Sequence, residues 1–399
     1  MKRLFDMVEP KKENRSESAE SGHDERSPAL PSLSDTAFEL PHPDQDPLRS
    51  IDQSDRYGFE LIERRIKAIP ELFERYMESP LPDLQPLSGS VGVYGLGSSR
   101  SHAEYLATLL QRIPGVHASS QSVSSLHDQS GAGEVKIVFS QGMSTNTHGL
   151  IQSQIADERG ILFTATTSEG AHNTGKAEVH SLLTDINSSG VDTVIMPMEN
   201  EYQVLVRTVG PWFGFLAAYR VASQLAPKEF APIRTEQIVE MFSEAPLKAK
   251  EILSQTSRET LASASIYLVG HTPAVNHLRN IGYKFMEGAF LENPMVSTVM
   301  EFDHGPFQLV QRRGGSIFLF SSEDESEIDF NRSLTESLVA VGQAPPLVVC
   351  STLKPELRVL EYEMVMNHVM LDLMKQGGNA CNQLDFQEGE NYNKNPTKR

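Results

Sequence analysis

Cysteine is nearly absent from this 399-residue chain, with Cys350 and Cys381 the only two. That excludes a disulfide framework and a four-cysteine zinc site. Long apolar runs are missing too: the best, Val209 to Ala222, is interrupted by Arg220 and stays short of the roughly 18 residues a membrane helix needs. No membrane partner is expected. The opening MKRLFDMVEP has no apolar stretch of the kind a secretory signal carries, so a cytoplasmic location is expected. Positive charge is scarce. With 35 Lys and Arg against 53 Asp and Glu the net charge is −18, and no basic stripe with interleaved aromatics offsets it, so nucleic acid is a poor partner. His148, His172, His180 and His277 share no ligand spacing, and neither a metal nor another cofactor is expected.

What the chain does have is the makings of real cores: 39% of its residues are hydrophobic, and its length suits two or three domains. Residues 1–50 are rich in Ser, Pro, Glu and Asp and cannot bury enough apolar surface to offset ordering, which predicts a disordered acidic arm. Phe59, Ile62, Ile66, Ile69 and Leu72 then recur at helical spacing, ending near Pro80 to Pro86. Beyond that helix the sequence echoes itself. SVGVYGLGSS around Gly95 pairs with SIYLVGHTP around Gly270; KIVFSQ (Lys136 to Gln141) with IFLFSS (Ile317 to Ser322); and ILFTAT (Ile161 to Thr166) with LVVCST (Leu347 to Thr352). A near-constant offset between apolar strands, each followed by helical pattern, predicts an α/β fold of two units, each a parallel sheet flanked by helices.

Two turns carry the chemistry. In VKIVFSQGMSTNT (Val135 to Thr147) a buried-strand pattern breaks into Ser144, Thr145, Asn146 and Thr147, where a helix would begin. Free backbone N–H groups, the positive end of a helix dipole and short hydroxyls together suit an anion. SVGVYGLGSSRSHA (Ser90 to Ala103) repeats the design with Gly95, Gly97, Ser98 and Ser99. GLGSS lacks the third glycine of a dinucleotide fingerprint and the lysine of a Walker loop, so the pair points to one small phosphate held at neighbouring strand ends. Read alone, each turn also fits an ordinary polar cap.

In the second half, Glu287 falls near the end of a helix through Lys284, Phe285 and Met286, and His304 precedes a turn forced by Gly305 and Pro306. A carboxylate and an imidazole, each tunable toward neutral pKa by burial, are a usual pair for moving a proton as general acid and base. The same residues also fit a surface carboxylate and a loop histidine bonded to Asp303 or Glu301. EYEMVMNHVMLDLM (Glu361 to Met374) reads as a Met-rich amphipathic helix with a core or dimer-contact role, and Trp212 as an anchor for the long helix between units.

The segments GSSRSHA (Gly97 to Ala103) and FSQGMSTNTHGLI (Phe139 to Ile151) resemble the sugar isomerase (SIS) domain superfamily, whose phosphosugar loop runs Ser-Gln-Ser-Gly-x-Thr. Ser140, Gln141 and Thr145 fall on family positions; Gly142 and Met143 replace the Ser-Gly pair, and Ser144 a common Glu, so one hydroxyl is missing. The resemblance covers residues 55 to 380. It implies SIS-like three-layer units at 51–235 and 236–380 and a C-terminal tail at 381–399, with phosphate held by Ser98, Ser99, Ser140, Gln141 and Thr145. Paired-SIS enzymes, such as the isomerase half of glucosamine-6-phosphate synthase and the fructosamine-6-phosphate deglycases, carry a helical Glu and a downstream His-Gly-Pro. Glu287 and His304-Gly305-Pro306 match that pattern, with Glu292 as the reserve carboxylate. Thr208 aligns loosely with a family position near the substrate.

The implied activity is an isomerase, deglycase or deaminase acting on a phosphorylated keto- or aminosugar, in a homodimer or higher oligomer whose histidine can come from the neighbouring subunit. Two features depart from the family. Lysines of the tail, Lys394 and Lys398, fall beyond the position of the family's sugar-closing cation, and no glutaminase unit with an N-terminal Cys precedes the SIS pattern, so amidotransferase chemistry is not expected. In the second unit Glu323, Asp324 and Glu325 of SSEDES should repel phosphate. The competing reading is a non-catalytic phosphosugar sensor.

Overall fold

The computed structural model describes residues 59–122, 135–143, 147–148, 151, 160–173, 176–197, 201, 206–271 and 274–377. The acidic arm, the C-terminal tail and Ser144, Thr145 and Asn146 lie outside the described residues. The stripe beginning at Phe59 forms α1 (Phe59–Glu78), which stops before the Pro80–Pro86 stretch.

Nine strands form two all-parallel sheets among the described residues. β1 (Gly89–Gly95), β2 (Val116–Ser122), β3 (Val135–Phe139), β4 (Gly160–Thr164) and β5 (Asp192–Ile195) make the first, in the order β2-β1-β3-β4-β5. β6 (Ile266–Gly270), β7 (Met295–Thr298), β8 (Ser316–Ser322) and β9 (Leu347–Ser351) make the second, in the order β7-β6-β8-β9. β1, β3, β4, β6 and β8 are close to continuously buried, as parallel strands covered on both faces must be. In each sheet the second strand lies on one side of the first and the later strands on the other. The strand order therefore reverses between β1 and β3 and again between β6 and β8, where crevices open at the carboxyl ends of open α/β sheets.

Helices supply the crossovers. α2 (Ser98–Leu110) follows β1, α3 (Ser168–Asn173) and α4 (Ala177–Ser188) join β4 to β5, and α5 (Val209–Leu225), α6 (Thr235–Ser254) and α7 (Arg258–Ala262) lead to the second sheet. There a 3-10 turn (Ala274–His277) runs into α8 (Leu278–Glu287), α9 (Val299–His304) and α10 (Pro306–Arg313) follow β7, α11 (Glu325–Ala340) follows β8 and α12 (Arg358–Gly377) closes the described chain. No helix among the described residues is long and apolar enough to cross a membrane.

Two helices are core elements. α5 is buried from Val209 to Tyr219 without a break, and Trp212 donates its indole N–H to the Leu360 carbonyl of α12 at 3.0 Å. Arg220 reaches out of α5 to the carbonyls of Tyr76 and Ser79 and so fixes the end of α1. α12 packs on α1, α5 and α6 with Met364, Met366, Met370 and Met374 all buried. The amphipathic reading of that helix is thus corrected: neighbours cover almost every side from Arg358 to Met374, and its thioethers fill gaps between them.

Candidate active site

The register Tyr94↔Val138 sets the turn after β1 beside the turn after β3, at the reversal point of the first sheet. The first turn needs Gly95: a Cβ there would lie 2.1 Å from the Ser99 carbonyl oxygen, so only glycine lets α2 start this close to the strand end. Ser98 is half-buried as the first residue of α2 and Ser99 is buried, both at the positive end of the helix dipole. In the second turn Ser140 is buried, its N–H donating to the Phe163 carbonyl and its hydroxyl 3.0 Å from that of Thr147. No backbone carbonyl takes the N–H groups of Gln141 and Gly142 among the described residues, which leaves donors at the crevice. Met143 sits at φ +49°, a left-handed conformation that costs a side-chain-bearing residue about 1–2 kcal/mol.

Gln141 is differently engaged. Its amide N–H donates at 3.2 Å to Glu201, a fully buried carboxylate that also accepts from the backbone N–H groups of Thr208, Val209 and Gly210 at 2.6–2.8 Å. Glu201 thus caps α5 from outside its N-cap position, supplying the negative charge that the helix start favours. Gly210 makes room for the amide, since a Cβ there would lie 2.0 Å from Gln141 Nε2. The phosphate-contact expectation for Gln141 therefore rests on its backbone, its side chain being committed to Glu201. Thr145 lies outside the described residues.

The start of α5 also meets the second half of the chain. The Thr208 carbonyl accepts from Asn367 of α12 at 3.5 Å, and Asn367 in turn accepts from the buried Lys284 ammonium, which pairs with Glu363 at 2.5 Å. Asn280 donates to the same Glu363. Gly288, one residue past α8, approaches the Val206 side chain so closely that a Cβ would be 2.8 Å from it. Glu287 consequently ends α8 next to Arg207. It is half-buried; burial raises its carboxyl above the usual range, while the charges of Arg207 and Lys284 act the other way. A carboxylate from a helix of the second sheet thus stands beside Arg207, just ahead of α5. The sequence reading missed Glu201, Arg207 and the Lys284–Glu363 pair.

His304 is not brought to these groups. It ends α9, exposed, with Gly305 breaking the helix and Pro306 opening α10. No hydrogen bond joins it to Asp303 or Glu301; Glu301 instead completes a capping box with Thr298. Glu292 is exposed in the segment between α8 and β7. Beyond the ends of β8 and β9, Arg358 pairs with both Asp324 and Glu327, and Glu327 accepts from Ser322 at 2.8 Å. Asp324 is therefore partnered, while Glu323 and Glu325 stay exposed.

No protein-family model matches the sequence, and neither does any curated protein. Solved structures do share the fold. The C-terminal domain of glucosamine-fructose-6-phosphate aminotransferase from Francisella tularensis superposes with a TM-score of 0.63 at 13% identity, over 83% of this chain and 99% of that one. Glucosamine-6-phosphate deaminase from Thermotoga maritima gives 0.61 at 15% identity, over 81% and 96%. Tagatose-6-phosphate ketose/aldose isomerase from Escherichia coli gives 0.56 at 15% identity, over 79% and 93%. The two-sheet fold is common to all three over nearly their full length.

Proposed function

We propose that this protein is a phosphosugar isomerase, or a related aminosugar-phosphate deaminase or deglycase. The observation that supports this reading is Glu287, a half-buried carboxylate with a raised pKa that ends α8 beside Arg207, just ahead of α5. Ser98, Ser99, Ser140, Thr145 and the Gln141 backbone hold the phosphate. Glu287 takes a proton from the carbon beside the sugar carbonyl and returns it to the neighbouring carbon through an enediol or enaminol, a task that a base raised toward neutrality performs well. Phosphosugar names among the fold relatives support the substrate class. His304, exposed on its own chain, assists ring opening from a second subunit of a cytoplasmic homodimer, and the two sheets act as phosphate-binding and proton-transfer units divided near residue 235.

Glu287→Gln keeps the shape and removes the base, so turnover falls by roughly 10²–10⁴ with binding nearly unchanged. The test is solvent deuterium exchange into the carbon next to the carbonyl, followed by NMR with glucosamine 6-phosphate, fructose 6-phosphate and a phosphorylated Amadori compound. Exchange by wild type and none by Glu287→Gln supports the assignment. A wild type that binds one of these tightly and never exchanges it overturns catalysis and leaves a sensor.

A further inference from the structure

The turn after β3 is pinned from several sides by the protein itself. Its Ser140 N–H donates to the Phe163 carbonyl at 2.9 Å, and its Gln141 carbonyl accepts from the Ala165 N–H at 2.8 Å and the Thr164 hydroxyl at 3.2 Å. The Met143 N–H closes back on the Ser140 carbonyl at 3.4 Å. A trans peptide carries its carbonyl and its N–H on opposite sides, so fixing the Ser140 and Gln141 carbonyls also fixes the directions of the Gln141 and Gly142 N–H groups. No backbone carbonyl takes either donor among the described residues. The Gln141 side chain supplies a further hold: it is buried, and its amide donates to Glu201 at 3.2 Å in the space that Gly210 leaves.

Glu201 is a firm anchor for that amide. Its carboxylate accepts from the N–H groups of Thr208, Val209 and Gly210 at 2.6–2.8 Å, and these lead into α5, which is buried without a break from Val209 to Tyr219. If the Gln141 amide swung out to a ligand, a fully buried carboxylate would lose one of its donors, a penalty that the new contact would have to exceed. We propose that Glu201 and the Gln141 side chain are positioning residues for the phosphate: the contact between them holds the turn after β3 so that the Gln141 and Gly142 N–H groups meet the anion, and neither side chain touches it. Donors fixed in this way do not have to be ordered when the anion binds, which favours affinity. The inference rests on the phosphosugar reading and goes beyond it by tying the Gln141 amide to α5 instead of to the ligand.

The test uses the full chain with glucosamine 6-phosphate and fructose 6-phosphate, read by calorimetry and by ¹⁵N-resolved NMR. In the unmutated protein, saturation with whichever of the two binds tighter should shift the Gln141 and Gly142 backbone amide signals, as new bonds to an anion do, while the Gln141 side-chain NH₂ signals keep their positions. Gln141→Met keeps the length of the side chain, removes its donor and leaves Glu201 its partners at the start of α5. That variant should bind the same sugar phosphate about tenfold or more weakly, under conditions where urea unfolding shows it fully native. A merely structural contact would lower the urea midpoint and leave the affinity alone. Wild-type affinity in natively folded Gln141→Met, or side-chain signals that shift as far as the backbone ones, overturns the proposal and leaves the phosphosugar reading standing. Failure of the unmutated protein to bind either sugar phosphate overturns both. The signals of the unmutated protein decide the matter even where the variant fails to fold.

Discussion

Acid should destabilise this protein well before its carboxylates protonate, because two histidines are locked neutral in the core. His102 of α2 holds the Pro211 carbonyl at 2.9 Å and stacks edge-on against Phe215; His277 packs against Phe215 and Tyr105. Burial pushes His102 down to about 4, with the Lys284 charge adding to the fall and the Pro211 contact opposing it. Burial and the neighbouring His102 push His277 down to about 3. In the unfolded chain both return to about 6.5, so below that pH the unfolded state binds more protons and stability falls as pH drops. The loss begins near 6.5 and levels off only below the folded values. At about pH 5, some 1.5 units below the unfolded value, each ring costs about 2 kcal/mol and the pair about 4.

That is a large share of a typical stability of about 5–15 kcal/mol. Glu63, held at about 2 by Lys67 and Lys375, enters only below 4.5. His148 and His368, also lowered by burial, act in the same direction, and the raised Glu287 acts against them, so the clean readout is a difference between variants. Urea unfolding at about pH 8 and about pH 5 would be compared for wild type, His102→Phe and His277→Phe. Each substitution should remove about 2 kcal/mol of the pH-dependent loss, whatever it does to stability at pH 8. An unchanged difference between the two pH values in both variants refutes the reasoning.

Ser140→Ala combined with Thr145→Ala should weaken phosphosugar binding, each lost charge-assisted hydrogen bond costing about 1.5–3 kcal/mol, as read by calorimetry. Glu201→Gln should lower the urea midpoint by the equivalent of about 3 kcal/mol or more, because the N–H groups at the start of α5 and the Gln141 amide lose their shared acceptor charge; a shift under about 1 kcal/mol would show that the cap is dispensable.

The strands legible in the sequence are those covered on both faces. β1, β3, β4, β6 and β8 are mostly apolar, though β3 carries the buried Lys136, and β9 also reads as a strand although Val348 is exposed and Cys350 half-buried. β2, β5 and β7 were missed for one reason: they are sheet edges, with burial broken by exposed or half-buried positions, and VHASSQS or MVST carries no apolar run to notice. In the site, the two hydroxyl turns and the helix ending at Glu287 were readable from local pattern. The buried charges were not. Glu201 lies sixty residues from Gln141 and caps α5 from outside the usual cap position, and Glu363 lies 79 residues from Lys284. Only the fold creates such pairings, since nothing in MENEY or EYEM marks a carboxylate that will be fully buried.

The two sheets share one order of connection and differ in the charge carried beside their strand ends. Ser98, Ser99 and Ser140 stand after β1 and β3, whereas the carboxylates of Asp324 and Glu327 stand after β8, and Arg358, beyond β9, neutralises them. An anion entering beside β8 would compete with Asp324 and Glu327 for Arg358, and leaving the mostly buried Glu327 unpaired would cost several kcal/mol. α8 leaves the second sheet and ends against the first, where the Lys284–Glu363–Asn367 cluster ties it to the Thr208 carbonyl and sets Glu287 beside Arg207. Packing of α8 and α12 against the start of α5 therefore couples the helix that carries Glu287 to the segment whose N–H groups bind Glu201, and through Glu201 to Gln141 after β3.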